Sequence, residues 1–281
     1  MALFIAIVTG FFFMIGKYVD SSSTFFLLGF IFSFTSSIGS YFFSDKIVLM
    51  TTGARPATKK QFFDLYTVTE NLAIGAGIPM PRIYIIDDHA PNAFATGRDA
   101  KHAVVCVTTG LLRILDRAEL EGVIAHELSH IQNSDILVSS IVAVLVGTVA
   151  LISDWLIRAM WWGKISDDDR DSKNPIGMVL FIVILIITPI VATLIQLAVS
   201  RRREFLADAS GALLSRHPDG LARALEKIAA DSHQMKNASA STAHLFISNP
   251  FKKRSGATSW LTNLFSTHPP VDERINVLRS M

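Results

Sequence analysis

Four stretches of this chain run without a single charged residue for nearly the thickness of a bilayer, and no other feature narrows its possible folds so far. They are 1–16, 24–43, 136–152 and 176–199. A helical span needs about 20 predominantly apolar residues. Half of the 281 residues are hydrophobic and 18% are charged, a balance that suits a protein partly solvated by lipid. The first stretch is short. It has neither a basic start nor a small-residue cleavage site before Lys17, so it reads as a retained anchor rather than a signal peptide. With the second stretch it is expected to form a hairpin. The third meets Asp154 and Arg158 before Trp161 and Trp162, an aromatic pair that suits a membrane interface. The fourth is the strongest, and its Pro189 is tolerable as a kink in a membrane helix. The competing reading makes the third and fourth core helices of a soluble bundle, but runs this long and apolar are usually spans.

Basic residues collect beside spans on the cytoplasmic side. Lys46, Arg55, Lys59 and Lys60 follow the second stretch, and Arg201, Arg202 and Arg203 follow the fourth. On the other side, Lys17 is nearly alone, and 166–174 carries Asp167, Asp168, Asp169 and Asp171. Segments 44–135 and 200–281 are therefore expected in the cytoplasm. A net charge of +2 gives no argument for nucleic acid. The single cysteine, Cys106, rules out an intramolecular disulfide and a cysteine-rich zinc module, and it fits a reducing compartment.

Between the second and third stretches the pattern is that of an α+β unit. A helical pattern near Gln61 to Ala76 stops at Gly77 and Pro79. Arg82 to Ile86 and Ala103 to Thr108 are β-branched runs, with Ala93 to Thr96 a short strand between them. Asp116 is placed to cap a helix that runs through Glu119 into His126. Ser232 to Thr242 and Lys252 to Ser259 are polar and expected to be mobile.

That helix carries His126-Glu127-Leu128-Ser129-His130. Residues four apart share a helix face, so both imidazoles can meet one ion. Glu127 lies on the adjoining face, where its carboxylate can act as general base on water activated by the ion without ligating it. The five-letter pattern also arises by chance in unrelated helices. Its flanks Val123, Ile124, Ala125, Leu128 and Ile131 are apolar, however, and a buried His-Glu-His trio without a ligand would be costly. The expected cofactor is one Zn2+ per subunit. A catalytic zinc needs a third protein ligand and an open position. Candidates downstream are Glu204, Asp208, His217, His233, His244 and His268. Glu204 opens a helix and shares a face with Asp208 at i and i+4, so that one acid can ligate while the other orients a histidine. The competing reading pairs Glu204 with Arg201 to Arg203.

Taken with Ser44-Asp45-Lys46-Ile47, Pro91-Asn92-Ala93-Phe94, Thr108-Thr109-Gly110-Leu111-Leu112, Arg202-Arg203-Glu204 and His268-Pro269-Pro270, the chain resembles the HtpX family of membrane zinc endopeptidases. More distantly it resembles the CAAX prenyl proteases. The resemblance implies a helical membrane protein of about four transmembrane helices with a cytoplasmic zincin-like metalloprotease domain, a small sheet beside an HExxH helix. It divides the chain into an N-terminal transmembrane hairpin (1–43), the first part of the catalytic domain (44–135), a second transmembrane hairpin (136–199) and the second part of the catalytic domain (200–281). It implies His126, His130 and Glu204 as zinc ligands, Glu127 as the catalytic base and Asp208 on a ligating histidine, His126 by expectation. Asn92 and Ala93 are implied on an edge strand that binds extended substrate. His268 and Arg274 are implied at the oxyanion, where the residues alone read equally well as a turn before a short helix. The implied role is quality control and stress response in the bacterial inner membrane, acting on damaged membrane proteins and unfolded proteins. A transporter with a zinc-binding domain is the rival class, but the spans carry little polar equipment. A silent scaffold is another, against which Glu127 is intact.

Overall fold

Two short β-branched runs, with the strand Ala93–Thr96 between them in sequence, build the sheet on which the site is mounted. The computed structural model describes residues 1–18, 20–163, 201–239, 241–251 and 269–281, with the backbone alone at Leu3, Ile15, Tyr18 and 150–163. The expected fourth span, the acidic stretch 166–174, the side chains of Asp154, Arg158, Trp161 and Trp162, the polar stretch 252–259 and His268 lie outside the described residues. The chain forms two compact units, Met1–Phe42 with Val144–Leu194, and Phe43–Ala143 with Ile195–Met281.

In the first unit, α1 (Ala2–Tyr18) and α2 (Ser22–Thr52) form an antiparallel hairpin. Thr9 Oγ1 meets Ser33 Oγ at 3.3 Å, and Phe12 stacks on Phe32. A Cβ on Gly29 would stand 2.5 Å from the Phe12 Cβ, so the helices approach this closely only because that residue lacks a side chain. Among the described residues α2 is long and apolar enough to cross a bilayer, and α1 carries a shorter apolar run, Phe4–Met14. Phe26, Leu27, Ile31, Phe34 and Ile38 are exposed along α2. The helix continues nine residues past the expected end at Phe43.

The second unit is built on a four-stranded sheet of order β1-β2-β4-β3, with β1 Arg55–Pro56, β2 Arg82–Ile86, β3 Ala93–Thr96 and β4 Val104–Thr108. β2 and β4 are parallel, and β3 runs antiparallel to β4 at the edge. Successive side chains of a strand point to opposite faces. Ile83, Ile85, Ala93, Ala95, Val105 and Val107 accordingly face one core with α3 (Phe63–Ala76) and α5 (Arg117–Gln132). Ile86, Phe94, Val104 and Cys106 face a second core with Val48 and Leu49 from the end of α2, Met235 and Phe246. Both faces are covered, which is why β4 is apolar from Val104 to Val107.

β2 and β3 match their sequence readings, and α3 starts two residues later than expected. The helix α4 (Thr109–Ile114) follows β4. At the start of α5 the Glu119 N–H donates to Asp116, and the Glu119 carboxylate accepts from the Asp116 N–H, a reciprocal cap. α6 (Asp135–Gly163) follows after a bend in which Ser134 adopts φ 61°. Among the described residues α7 (Arg201–Ser215), α8 (Pro218–Ala230) and α9 (Val271–Arg279) follow in the same unit. The stretch 232–242, expected to be mobile, is tied down instead. Met235 is buried, and the Lys236 N–H donates to the buried Asp88.

Candidate metal centre

The α5 helix is buried along most of its length between the sheet and α3, α7 and α8. His126 and His130, one turn apart, therefore point into the protein instead of into solvent. α7 crosses α5 closely. A Cβ at Gly211 would lie 2.9 Å from the His126 backbone nitrogen, so only glycine permits this approach. Glu204, Asp208 and Gly211 recur at i, i+4 and i+7, one face of a helix, and all are buried. The close crossing sets both acids against the histidines.

The His126 and His130 Nε2 atoms stand 3.2 Å apart. Glu204 Oε1 is 3.6 Å from His130 Nε2, and Glu204 Oε2 is 4.0 Å from His126 Nε2. Ligand atoms about 2.0–2.1 Å from one tetrahedral ion stand about 3.3 Å from each other. The three separations are of that size, and one ligand atom from each residue lies within 4.8 Å of the others. Two imidazoles and a carboxylate are a donor set for zinc with a position left open. The residues fit a metal ion.

Each imidazole is backed by a carboxylate, and each carboxylate by an arginine. Asp208 Oδ1 lies 2.9 Å from His126 Nδ1. Arg274, fully enclosed, donates to both Asp208 oxygens at 2.8 and 2.7 Å. On the other ring, His130 Nδ1 stands 3.1 Å from Asp135 Oδ2, and Arg203 donates to Asp135 Oδ1 at 2.7 Å. Such outer partners fix which ring nitrogen carries the proton and so which one faces a metal.

These contacts set the charges. Burial raises Asp208, but hydrogen bonds from Arg274 and His126 more than offset it and hold the carboxyl down at about 2. Burial keeps His126 below its ordinary value against the pull of Asp208, which favours the neutral, ligating ring. For His130 burial acts in the same direction but loses to Asp135, Glu204 and Glu127, which bring it up to about 9. Burial lifts Glu127 to about 7; Glu204 adds to this, while His130, Arg274 and the Ala95 backbone N–H oppose it.

The cleft is lined by Ala95, Glu127 and the three ligand candidates, and closed by His244 to Ile247. On the β3 edge, the Ile247 N–H donates to the Ala93 carbonyl. The Asn92 amide donates to the Ser248 carbonyl and accepts from the Ser248 N–H. Asn92 and Ala93, implied as substrate contacts, are thus engaged by the chain's own wall, and Ala95 is the β3 residue that lines the cleft. Arg274, implied at the oxyanion, donates to Asp208 and to the Ile247 carbonyl, with Glu204 Oε2 3.7 Å away. Of the other candidates, His217 precedes α8 without a side-chain capping bond, His233 is exposed beside Asp231, and His244 donates to the Ser139 carbonyl. Sequence reasoning missed Asp135. It lies five residues from His130, outside the helical i+4 relation, and only the bend at Ser134 returns it.

Residues 59–281 match the model of peptidase family M48. A protease HtpX homolog of Caldanaerobacter subterraneus is 49% identical over 241 residues, 85% of this chain and 78% of that protein. One from Tropheryma whipplei is 46% identical over 279 residues, 99% of this chain and 92% of that protein, and one from Thermococcus sibiricus is 47% identical over 280 residues, 98% and 93% of the two chains. Among solved structures, Ste24p of S. mikatae shares the fold at a TM-score of 0.52 and 19% identity; the match covers 97% of this chain and 62% of that one.

Proposed function

Because this chain belongs to peptidase family M48 and its relatives are HtpX proteases, we propose that this metallopeptidase is a membrane-bound zinc endopeptidase that cuts damaged or misassembled membrane proteins and unfolded proteins. The observation that carries the reading is the convergence of His126, His130 and Glu204 beside a buried carboxyl raised to about 7. His126, His130 and Glu204 would hold the ion. A zinc ion supplies Lewis acidity and brings the pKa of water toward about 7.

Glu127 takes the proton of the attacking water at its carboxylate and returns it to the leaving amine. A value near neutrality suits a group that must act as base and then as acid. An extended substrate lies along β3 and pairs at Ala95, with Asn92 and Ala93 holding the wall at Ile247 and Ser248 that ends the groove. Arg274 keeps Asp208 charged and turned to His126. His268 remains a candidate for the oxyanion.

The site faces the cytoplasm of a bacterial inner membrane, with several spans holding it there. The support is the distribution of basic residues, the exposed apolar face of α2 and the short sequence distances from His130 to the third charge-free stretch and from the fourth to Glu204. Bonds close to the bilayer are its preferred targets. The reading is tested by expressing wild type beside Glu127→Gln in membranes and comparing the proteins that persist. Membrane proteins that accumulate only in the variant support it, and identical membrane proteomes refute it.

A further inference from the structure

The environment of His130 repeats that of His126. In each case a ring Nδ1 meets an aspartate, and an arginine holds that aspartate from behind. The His126 arrangement is enclosed, with Arg274 and Asp208 both buried. In the other, the Asp135 side chain is 8% exposed and the Arg203 side chain 41%.

A partly exposed ion pair adds little to stability by itself, so the Arg203–Asp135 contact is weakly explained as a staple. Asp135 is better explained by how its two oxygens are used. One accepts from Arg203 at 2.7 Å and the other meets His130 Nδ1 at 3.1 Å. A carboxylate so nearly buried needs both partners to offset its lost hydration.

The location adds a second argument. Asp135 is the first residue of α6, three residues past the end of α5, and Arg203 immediately precedes Glu204 on α7. The pair therefore closes the chain between 135 and 203 at a point that touches His130 on one side and adjoins Glu204 on the other.

We propose that Asp135, held by Arg203, is the positioning residue of His130: it fixes the ring with Nδ1–H toward the carboxylate and Nε2 toward His126 and Glu204. This rests on the metal reading above. The clasp keeps the exit of α5 and the start of α7 in register, so that two of the three ligand atoms hold their spacing before any ion arrives.

The test measures zinc affinity of the purified full-length protein by competition with a chelating dye, alongside kcat and KM on an unfolded protein substrate. Outer-shell partners of ligating histidines are worth about 10–100-fold in metal affinity. Asp135→Leu, which keeps the bulk and removes the acceptor, is expected to weaken zinc by that factor. Asp135→Asn keeps an acceptor and loses the charge, and is expected to recover most of the affinity. Arg203→Gln leaves the carboxylate unsupported and is expected to fall between wild type and Asp135→Leu. In zinc-saturated samples kcat is expected to fall by more than KM rises, because Asp135, although it lines the cleft beside Arg203, acts through the His130 ring.

His130→Ala separates the two claims. If it binds zinc as tightly as wild type, the metal site itself is misassigned and the clasp falls with it. If it loses zinc while Asp135→Leu binds as tightly as wild type, the metal site stands and the positioning role is overturned. Should Asp135→Leu fail to fold, Arg203→Gln decides, and unchanged zinc affinity in that variant overturns the proposal.

Discussion

Glu127 and Asp208 are carboxyls of nearly equal burial in one unit, yet one sits near 7 and the other near 2. The difference lies in their partners, because Asp208 accepts two hydrogen bonds from Arg274 whereas Glu127 has another carboxylate, Glu204, adding to its burial. Glu127→Gln is thus expected to retain zinc and to lose hydrolysis by at least about 100-fold, whereas His126→Ala should lose the metal. Zinc content by elemental analysis beside peptide cleavage separates the two effects. Asp208 also makes a prediction about pH. Its folded value lies below the ordinary 3.8, so its stabilisation is fully present above about pH 4 and disappears as pH falls through about 2. The shift corresponds to about 2 kcal/mol. Denaturant unfolding of the solubilised protein between pH 2 and 6 should show this loss, and Asp208→Asn should flatten the profile.

At the scale of elements, the α5–α7 crossing is the joint on which the site depends. Gly211→Ala places a methyl group against the His126 backbone and should cost about 1–3 kcal/mol as overpacking. It should also weaken zinc binding, because α7 carries Glu204. Asp116→Ala makes the contrast. It removes one half of the cap at the far end of α5 and should cost about 1 kcal/mol with zinc affinity unchanged. Thermal unfolding and chelator competition on both variants check the pair. The strands were legible because the β-branched runs Arg82–Ile86 and Ala103–Thr108 carry a local preference for extended structure that survives without tertiary help. α8 went unread although Leu221, Leu225 and Ile228 recur at i, i+4 and i+7 on its buried face, a helical period that local pattern alone could have found. The stretch 232–242 is polar by composition, but Met235 anchors it in the second core, and a lone buried apolar side chain among its described residues gives no period.

For the molecule as a whole, the proposed topology requires 44–135 and 200–281 on one side of the membrane. Single cysteines introduced at Lys60 and Arg216, in a chain whose buried Cys106 is replaced by alanine, should react with a membrane-impermeant thiol reagent only after the cytoplasmic face is opened. A cysteine at Asp168 should react from the opposite face. Labelling of all three from one side would overturn the topology.

By itself the sequence determined the charge-free runs, the β-branched strand runs, the Asp116 cap and the HExxH and ExxxD spacings, because each depends on neighbours within a few residues or on simple apolar length. Only the tertiary structure decided that α5 and α7 cross closely enough to join acids and histidines some 75 residues apart, that Asn92 and Ala93 are engaged by Ser248 and Ile247, that Arg274 serves Asp208, and that Asp135 returns to His130. Contacts of that kind arise from where packed elements meet, and neither helical nor strand periodicity encodes the crossing point.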